Sequence, residues 1–140
     1  MSEPKVSGLN HLTLGVSDLE RSIAFYCELL GFDLRAQWLE GAYLEAGTLW
    51  LCLSLDKATS IASSADYTHV AFDIEKAQFA SLSERIRKVS SLWQENTSEG
   101  DSLYFNDPDG HKLELHVGSL ASRLAHLQNF PAQKGYVVKG

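Results

Sequence analysis

The sequence has few of the features that mark several classes of protein. Among its 140 residues are only two cysteines, three prolines and one methionine. Lys and Arg number 12 against 18 Asp and Glu, and the net charge of −6 argues against nucleic-acid binding, which needs a basic face. No apolar run approaches transmembrane length, and no charge block or low-complexity segment indicates a disordered tail. The length and the ordinary hydrophobic fraction of 44% instead predict one globular domain.

The cysteines and the first residues indicate where the protein works. Cys27 lies in a helical pattern and Cys52 in a strand pattern, and their spacing matches no metal-binding motif. We therefore expect both to be reduced thiols. The opening segment MSEPKVSGLN has no apolar core of the kind found in a signal peptide. These features predict a cytoplasmic protein without a membrane partner.

The chain repeats one order of strands and helix. The first copy predicts a strand at 8–16, a helix from Ser17 to Gly31, and strands at 32–39, 42–45 and 48–54. The second predicts a strand at 67–74, a helix at 75–89, a strand at 91–94 and a hairpin at 103–117, followed by a short helix at 119–128. The expected division is therefore module one at about 6–54, a polar linker at 55–66, module two at about 67–118, and a final helix and tail at 119–140.

Two local patterns support the predicted helices. Ser17 and Glu20 have the spacing of a capping box, which predicts the start of the first helix. The second helix has an apolar stripe of Phe79, Leu82, Ile86 and Val89.

The two copies begin alike, with HLTLGV from His11 and HVAFDI from His69. Each copy predicts a sheet with one face covered by its own helix, which makes an α+β fold. The other face carries His11 and Thr13 in one copy and His69 and Ala71 in the other. It has to be covered by the other copy or by a second chain.

Glu114 lies in the middle of the last strand, between Leu113 and Leu115. An ionised carboxylate is costly to bury unless it is paired or bound to a metal, although a glutamate on a solvent-facing strand needs no ligand. Strand alternation puts His116 on the same face, so His116 is an alternative candidate ligand.

His11, His69 and Glu114 are the candidate metal ligands. Two imidazoles and one carboxylate with open positions suit manganese, iron, nickel or zinc, and the hard carboxylate favours manganese or iron(II). If the turn of the first hairpin is one residue shorter than that of the second, Cys52 matches Glu114, and Tyr43 matches Tyr104. Three protein ligands would leave the metal open to substrate.

Three further features are candidates for binding or catalysis. Thr13 shares a face with His11, and its hydroxyl can donate to a developing oxyanion, although strand propensity alone also explains a threonine there. The turn Ser98–Ser102 is rich in oxygen donors, which suit a hard cation or simply an ordinary hairpin loop. Arg123 is a candidate partner for an anionic substrate or a plain surface residue.

Eight segments between Gly8 and Leu127 carry a family resemblance: GLNHLTL, SIAFY, GAYLE, LWLCLS, DYTH, SEGDS, DPDGHKLELHVGSL and SRLA. In this order they resemble the FosA-type fosfomycin-resistance glutathione transferases of the vicinal oxygen chelate superfamily. The resemblance implies two βαβββ modules and a homodimer that exchanges modules between chains.

The resemblance also implies ligands and substrates. Manganese(II) would bind His11 of one chain with His69 and Glu114 of the other. The expected potassium loop consists of Ser98, Glu99, Gly100 and Ser102. Fosfomycin would be opened at its epoxide by glutathione or another low-molecular-weight thiol, with assistance from Thr13. The residues expected around fosfomycin are Tyr43, Trp50, Tyr67, Ser98, Ser102, Tyr104 and Arg123, and the candidates for the thiol site are Trp38 and Ser54.

The sequence departs from the family pattern just before SEGDS. Close relatives carry a run like W-K-x-N-R there, whereas Gln94 and Thr97 replace both cations in this chain. In the family these cations help to hold the anionic substrate and the carboxylates of glutathione. The resemblance therefore leaves the identity of the thiol open.

Other functions on the same scaffold also stay open. An extradiol-type iron(II) dioxygenase or an isomerase uses a similar ligand set, although the SEGDS loop and Arg123 favour an anionic substrate. An epoxide hydrolase needs a general base, for which Glu45 is a candidate. A non-catalytic antibiotic-binding protein needs no metal ligands.

Overall fold

The computed structural model describes residues 3–59, 62, 65–129, 135 and 137–139. Its strands and helices in chain order are β1 (Leu12–Val16), α1 (Leu19–Ala24), β2 (Asp33–Trp38), β3 (Gly41–Ala46), β4 (Leu49–Leu55), β5 (Val70–Asp73), α2 (Lys76–Arg87), β6 (Leu92–Gln94), β7 (Ser102–Asn106), β8 (Lys112–His116) and α3 (Leu120–Asn129). Most of the predicted tail and part of the linker lie outside the described residues. Within those residues, we find no helix with the length and apolarity needed to cross a membrane.

The chain divides into two units. One consists of Met1–Ala62 with the turn Pro108–Gly110, and the other of Ser63–Asp107 with His111–Gly140. The first unit has a sheet of order β1-β4-β3-β2 and the second a sheet of order β5-β8-β7-β6. In each sheet the first strand runs parallel to its neighbour and the other pairs are antiparallel. Two βαβββ modules in an α+β fold are thus confirmed.

The strand register shows how the two copies correspond. Cys52 on β4 lies opposite Tyr43 on β3. Glu114 on β8 lies opposite Tyr104 on β7. Each also pairs with its parallel neighbour strand two residues beyond the repeated histidine. Cys52 therefore holds in the first sheet the place that Glu114 holds in the second, as the shorter hairpin turn predicts.

The first sheet buries one face and exposes the other. Its buried side chains are Leu14, Val16, Ala42, Leu44, Leu51 and Leu53. They alternate along β1, β3 and β4, and α1 contacts the same two strands β3 and β4. Burial of each large aliphatic side chain contributes about 1.5–3 kcal/mol, so this face supports the unit. Thr13, Tyr43, Trp50 and Ser54 on the opposite face are exposed.

The predicted capping box at the start of α1 is wrong. The N-cap is Asp18, whose carboxylate accepts the backbone N–H of Arg21 at 3.1 Å. Ser17 instead donates its N–H and its hydroxyl to Asp109 Oδ1, at 3.0 Å and 2.5 Å. Because the buried Asp109 takes both groups, Ser17 does not cap the helix. The helix then continues as a π-helical turn, Phe25–Leu29, which buries Tyr26.

In the second unit, α2 is shorter than predicted. Ile86 is buried, and Phe79 and Leu82 are half-buried, as the apolar stripe predicts. Val89 is 68% exposed because the helix ends at Arg87, so its placement on the stripe is wrong. The sheet of this unit buries Leu103, Phe105, Leu113 and Leu115 on one face.

Candidate functional site

His69 and Glu114 face each other in the second unit. Glu114 projects from β8, and His69 immediately precedes the neighbouring strand β5. His69 Nε2 lies 3.0 Å from Glu114 Oε1, while His69 Nδ1 lies 2.8 Å from the backbone carbonyl of Tyr67. Glu114 is only 7% exposed, so a solvent-facing glutamate is excluded at this position.

The hydrogen bonds of His69 indicate which of its nitrogens carries a proton and what can bind between it and Glu114. A carbonyl oxygen only accepts, so His69 Nδ1 carries a proton and donates it to Tyr67. Nε2 and the Glu114 carboxylate then face each other as two acceptors, and a cation between them satisfies both. Either a second proton on the imidazole or a divalent metal meets that need. A histidine that donates its other N–H to a carbonyl is the usual arrangement of a metal ligand, so the donors fit a first-row metal.

Aromatic rings surround the His69 imidazole. The ring centroids of Tyr67, Trp93 and Tyr104 lie 4.9, 5.2 and 6.1 Å from that of His69. Trp93 is fixed in turn, because its indole N–H donates to backbone carbonyls of β7 and β8 at 3.1 and 3.0 Å. These rings pack around the imidazole, whose side chain is 21% exposed.

Two polar side chains adjoin Glu114 on the same face of the sheet. Ser102 Oγ donates to Glu114 Oε2 at 2.8 Å and lies 2.7 Å from His116 Nδ1. The two carboxylate oxygens therefore have different surroundings, with Oε1 towards His69 and Oε2 on a hydroxyl.

The SEGDS loop and Arg123 come together as an ion pair. Arg123 Nε donates to Glu99 Oε2 at 3.0 Å, and Nη2 donates to the Glu99 carbonyl at 3.1 Å. The hydrogen bond from Arg123 lowers the pKa of the Glu99 carboxyl. Ser98 is tied back by its hydroxyl and N–H to Asn96 Oδ1. Arg123 on α3 and the side chain of Asn96 thus both hold the loop by hydrogen bonds.

Gln94 and Thr97, where the resemblance leads us to expect cations, have different surroundings. Gln94 Nε2 donates to the hydroxyl of Tyr67 at 3.1 Å. Thr97 is exposed. Gln94 therefore orients a predicted substrate residue without supplying a positive charge.

In the first unit, the open face carries a row of rings. The centroids of His11 and Trp50 lie 4.4 Å apart, those of Trp50 and Tyr43 5.2 Å, and those of Tyr43 and Trp38 4.8 Å. His11 Nδ1 lies 2.7 Å from Asn10 Oδ1. Thr13 is exposed beside this row. Among the residues that the structure describes, no cluster of three His, Cys, Asp or Glu side chains could hold a metal within one chain.

The two candidates for the thiol site have different surroundings. Trp38 borders an open cavity of about 550 Å³. The other residues of the cavity are Asp18, Leu19, Glu20, Gln37 and Leu39. Ser54 lies on the open face of the sheet but does not line this cavity.

Residues 8–115 match the family model of the glyoxalase/bleomycin resistance protein/dioxygenase superfamily. The chain belongs to this superfamily. Within it, the chain is 53% identical to the glutathione transferase FosA of Serratia marcescens, over 90% of this chain and 92% of that protein. It is 39% identical to the metallothiol transferase FosB of Lysinibacillus sphaericus, over 85% of this chain and 88% of FosB.

A solved structure of the superfamily has the same fold. The fosfomycin resistance protein FosX of Listeria monocytogenes superposes with a TM-score of 0.75 at 30% identity, over 87% of this chain and 99% of FosX. A Glu-to-Gln variant of FosX was crystallised with Mn(II) and 1S,2S-dihydroxypropylphosphonic acid.

Sequence reasoning missed one residue that packs beside the His69–Glu114 pair. Trp93 packs against His69 and Tyr104, yet nothing in its sequence pattern sets it apart from other strand aromatics. It lies where the pairing of β6 with β7 is irregular, between Leu92 and Gln94. Strand alternation does not predict the direction of a side chain at such a position.

Proposed function

We propose that the protein inactivates fosfomycin by adding glutathione to its epoxide, with manganese(II) as the metal, and so confers resistance. The observation that carries this proposal is the His69–Glu114 pair, with Nε2 and Oε1 3.0 Å apart and Nδ1 committed to a carbonyl. The 53% identity to a FosA glutathione transferase supports fosfomycin and glutathione as the substrates. We place the reaction in the cytoplasm, where glutathione is present.

His69, Glu114 and His11 would hold the metal, with His11 supplied by the second chain of a homodimer. When bound, manganese(II) acts as a Lewis acid for the negative charge that develops on the epoxide oxygen. The rings of Tyr67 and Tyr104 lie 4.9 and 6.1 Å from that of His69, and their hydroxyls would bind the phosphonate. The Trp93 ring, 5.2 Å from the His69 ring, packs against it and helps to hold its orientation.

The reaction itself needs few protein groups. The thiolate sulfur forms a bond to an epoxide carbon, the C–O bond breaks, and its electron pair goes to the oxygen. The Thr13 hydroxyl donates a hydrogen bond to that oxygen. The alkoxide then takes up a proton from water, which balances the proton that the thiol lost to the solvent when it became a thiolate. Tyr43 and Trp50, on the same exposed face as Thr13, form the apolar border of the substrate. The thiol lies towards Trp38 and Ser54.

The SEGDS loop is proposed to bind potassium. Ser98, Glu99, Gly100 and Ser102 offer oxygen atoms of the kind that a hard cation prefers. Arg123 donates to the Glu99 carboxylate at 3.0 Å, so the bound potassium would supply the net positive charge near an anionic phosphonate, with Arg123 at the same loop.

Addition of water is a second candidate reaction. The dihydroxypropylphosphonic acid bound to the FosX variant is the compound that fosfomycin gives when water opens its epoxide. Glu45, the candidate base, is exposed on β3 and lies 3.8 Å from the guanidinium of Arg35. Analysis of the product made with and without glutathione separates the two reactions, because only one of them incorporates sulfur.

The metal and the substrate are tested together by calorimetry. Metal-stripped protein is titrated with manganese(II), with and without fosfomycin, alongside His69→Ala and the control His126→Ala on α3. We expect manganese to bind, fosfomycin to tighten its binding, and only His69→Ala to lose both effects. Binding of manganese without any effect of fosfomycin would rule out fosfomycin as the substrate.

A further inference from the structure

We propose that His116 is a positioning residue that acts through Ser102 to reserve one oxygen of Glu114 for the metal. This inference rests on the proposed metal site and adds a role for a histidine that is not itself a ligand. Its basis is a chain of contacts along one face of the second sheet: His116 on β8, Ser102 on β7, and Glu114 on β8.

The direction of the hydrogen bonds in this chain follows from the groups present. The carboxylate of Glu114 only accepts, so the single hydroxyl proton of Ser102 points to Oε2, at 2.8 Å. The Ser102 oxygen can then only accept from His116, whose Nδ1 lies 2.7 Å away. The same Nδ1 lies 3.5 Å from Glu114 Oε2, so Ser102 is its nearer partner and the direct contact is the weaker one. His116 therefore carries a proton on Nδ1 and has no lone pair there for a metal.

The other side of the His116 ring is closed by backbone. A Cβ atom built on Gly118 would lie 2.9 Å from His116 Nε2, and one built on Gly100 would lie 2.9 Å from its Cε1. Both glycines have positive φ angles, 147° and 85°, which other residues rarely adopt. The imidazole thus packs against two positions where any side chain would clash with it, and its Nε2 lies beside Gly118 while its Nδ1 lies beside Ser102.

The consequence concerns how Glu114 binds. Oε2 is engaged by Ser102, while Oε1 lies 3.0 Å from His69 Nε2. Hydrogen bonds of this kind orient ligating carboxylates, and their loss typically costs about 10–100-fold in metal affinity. With Oε2 occupied, Glu114 offers one oxygen, and a coordination position stays available for the substrate.

The test is a manganese(II) titration of metal-stripped protein at constant potassium concentration. We expect His116→Leu to weaken manganese binding by about 10–100-fold. His116→Asn should recover most of that loss, because the asparagine amide can donate from nearly the same place as Nδ1. His111→Leu, which replaces the half-buried histidine just before β8, is the matched control and should bind as the unchanged protein does.

A double-mutant cycle separates positioning from packing. Because His116 acts through Ser102, Ser102→Ala combined with His116→Leu should bind manganese no more weakly than Ser102→Ala alone. Thermal unfolding of the metal-free variants shows which of them are folded. Unchanged affinity in His116→Leu, failure of His116→Asn to recover it, or additive losses would each overturn the role of His116. If the unchanged protein binds no manganese, the metal site itself is wrong, and both proposals fall together.

Discussion

Gln94 determines the charge beside the predicted substrate residue Tyr67. Its amide donates to the Tyr67 hydroxyl at 3.1 Å and so orients the hydroxyl without a positive charge. The nearby cations are already engaged: Arg123 on Glu99, and Lys112 above the ring of Trp93 at 5.1 Å. A thiol with two carboxylates therefore meets little compensating charge at Gln94.

Substitution Gln94→Lys is expected to improve the use of an anionic thiol. The ammonium can keep the contact with Tyr67 and adds an attraction at a partly exposed position, so the KM for glutathione should fall by about 2–5-fold. Steady-state kinetics at two salt concentrations measure this effect, and the gain should shrink at high salt. Gln78→Lys, on the exposed side of α2, is the matched control. An equal KM for glutathione in both variants would mean that position 94 does not face the thiol.

At the scale of single elements, α1 shows the limit of local sequence signals. The helix was predictable, but its cap was not, because the competing acceptor for Ser17 is Asp109, far along the chain. Asp109 is 1% exposed and also lies 3.4 Å from Arg21 Nη2 and from the hydroxyl of Ser22. In the sequence, Asp107-Pro108-Asp109-Gly110 looks like an ordinary hairpin turn. In the structure, its Asp109 accepts hydrogen bonds from Ser17, next to the start of α1 in the same unit.

Removal of the Asp109 charge should destabilise the first unit. Asp109→Asn keeps the volume but puts an amide against several donors, which should lower the free energy of unfolding by about 2–4 kcal/mol. Urea denaturation followed by circular dichroism measures the loss. Asp33→Asn, at an exposed position of β2, should change little. Equal stability of the two variants would show that Asp109 does not anchor α1.

The contact between the loop and α3 predicts a dependence on pH. The hydrogen bond from Arg123 lowers the folded-state pKa of Glu99 below its ordinary value of 4.5. This contribution to stability is therefore present above about pH 4.5 and is lost as the pH falls through the lowered pKa. Arg123→Gln should melt at a lower temperature than the unchanged protein at pH 7, and the gap should close towards pH 3. A gap that stays constant over this range would mean that the pair adds no charge-dependent stability.

For the whole molecule, the internal repeat was the signal that predicted most. It matched His11 with His69 and Cys52 with Glu114, and the strand register bears out the second match. It left open whether His116 competes with Glu114. That depends on how β7 and β8 pair and on which glycines border the ring, and neither is visible in a local pattern.

The open face of the first sheet bears on assembly. Trp38, Tyr43 and Trp50 are 44%, 38% and 37% exposed, and they form one continuous row. Exposed rows of large apolar side chains mark surfaces that bind something. In the proposed homodimer a second chain covers this face, and His11, which stacks on Trp50, completes the metal site of that chain.

A mixed dimer tests this arrangement directly. His11→Ala and His69→Ala each remove one ligand from every site, so each variant alone should lose activity and manganese binding. If a site joins His11 of one chain to His69 of the other, a dimer with one chain of each kind has one site that lacks both histidines and one that lacks neither. Co-expression with two different affinity tags isolates this dimer, which should bind manganese at one site and show about half of the unchanged activity. If both histidines come from the same chain, every site in the mixed dimer is defective and neither activity nor metal binding returns.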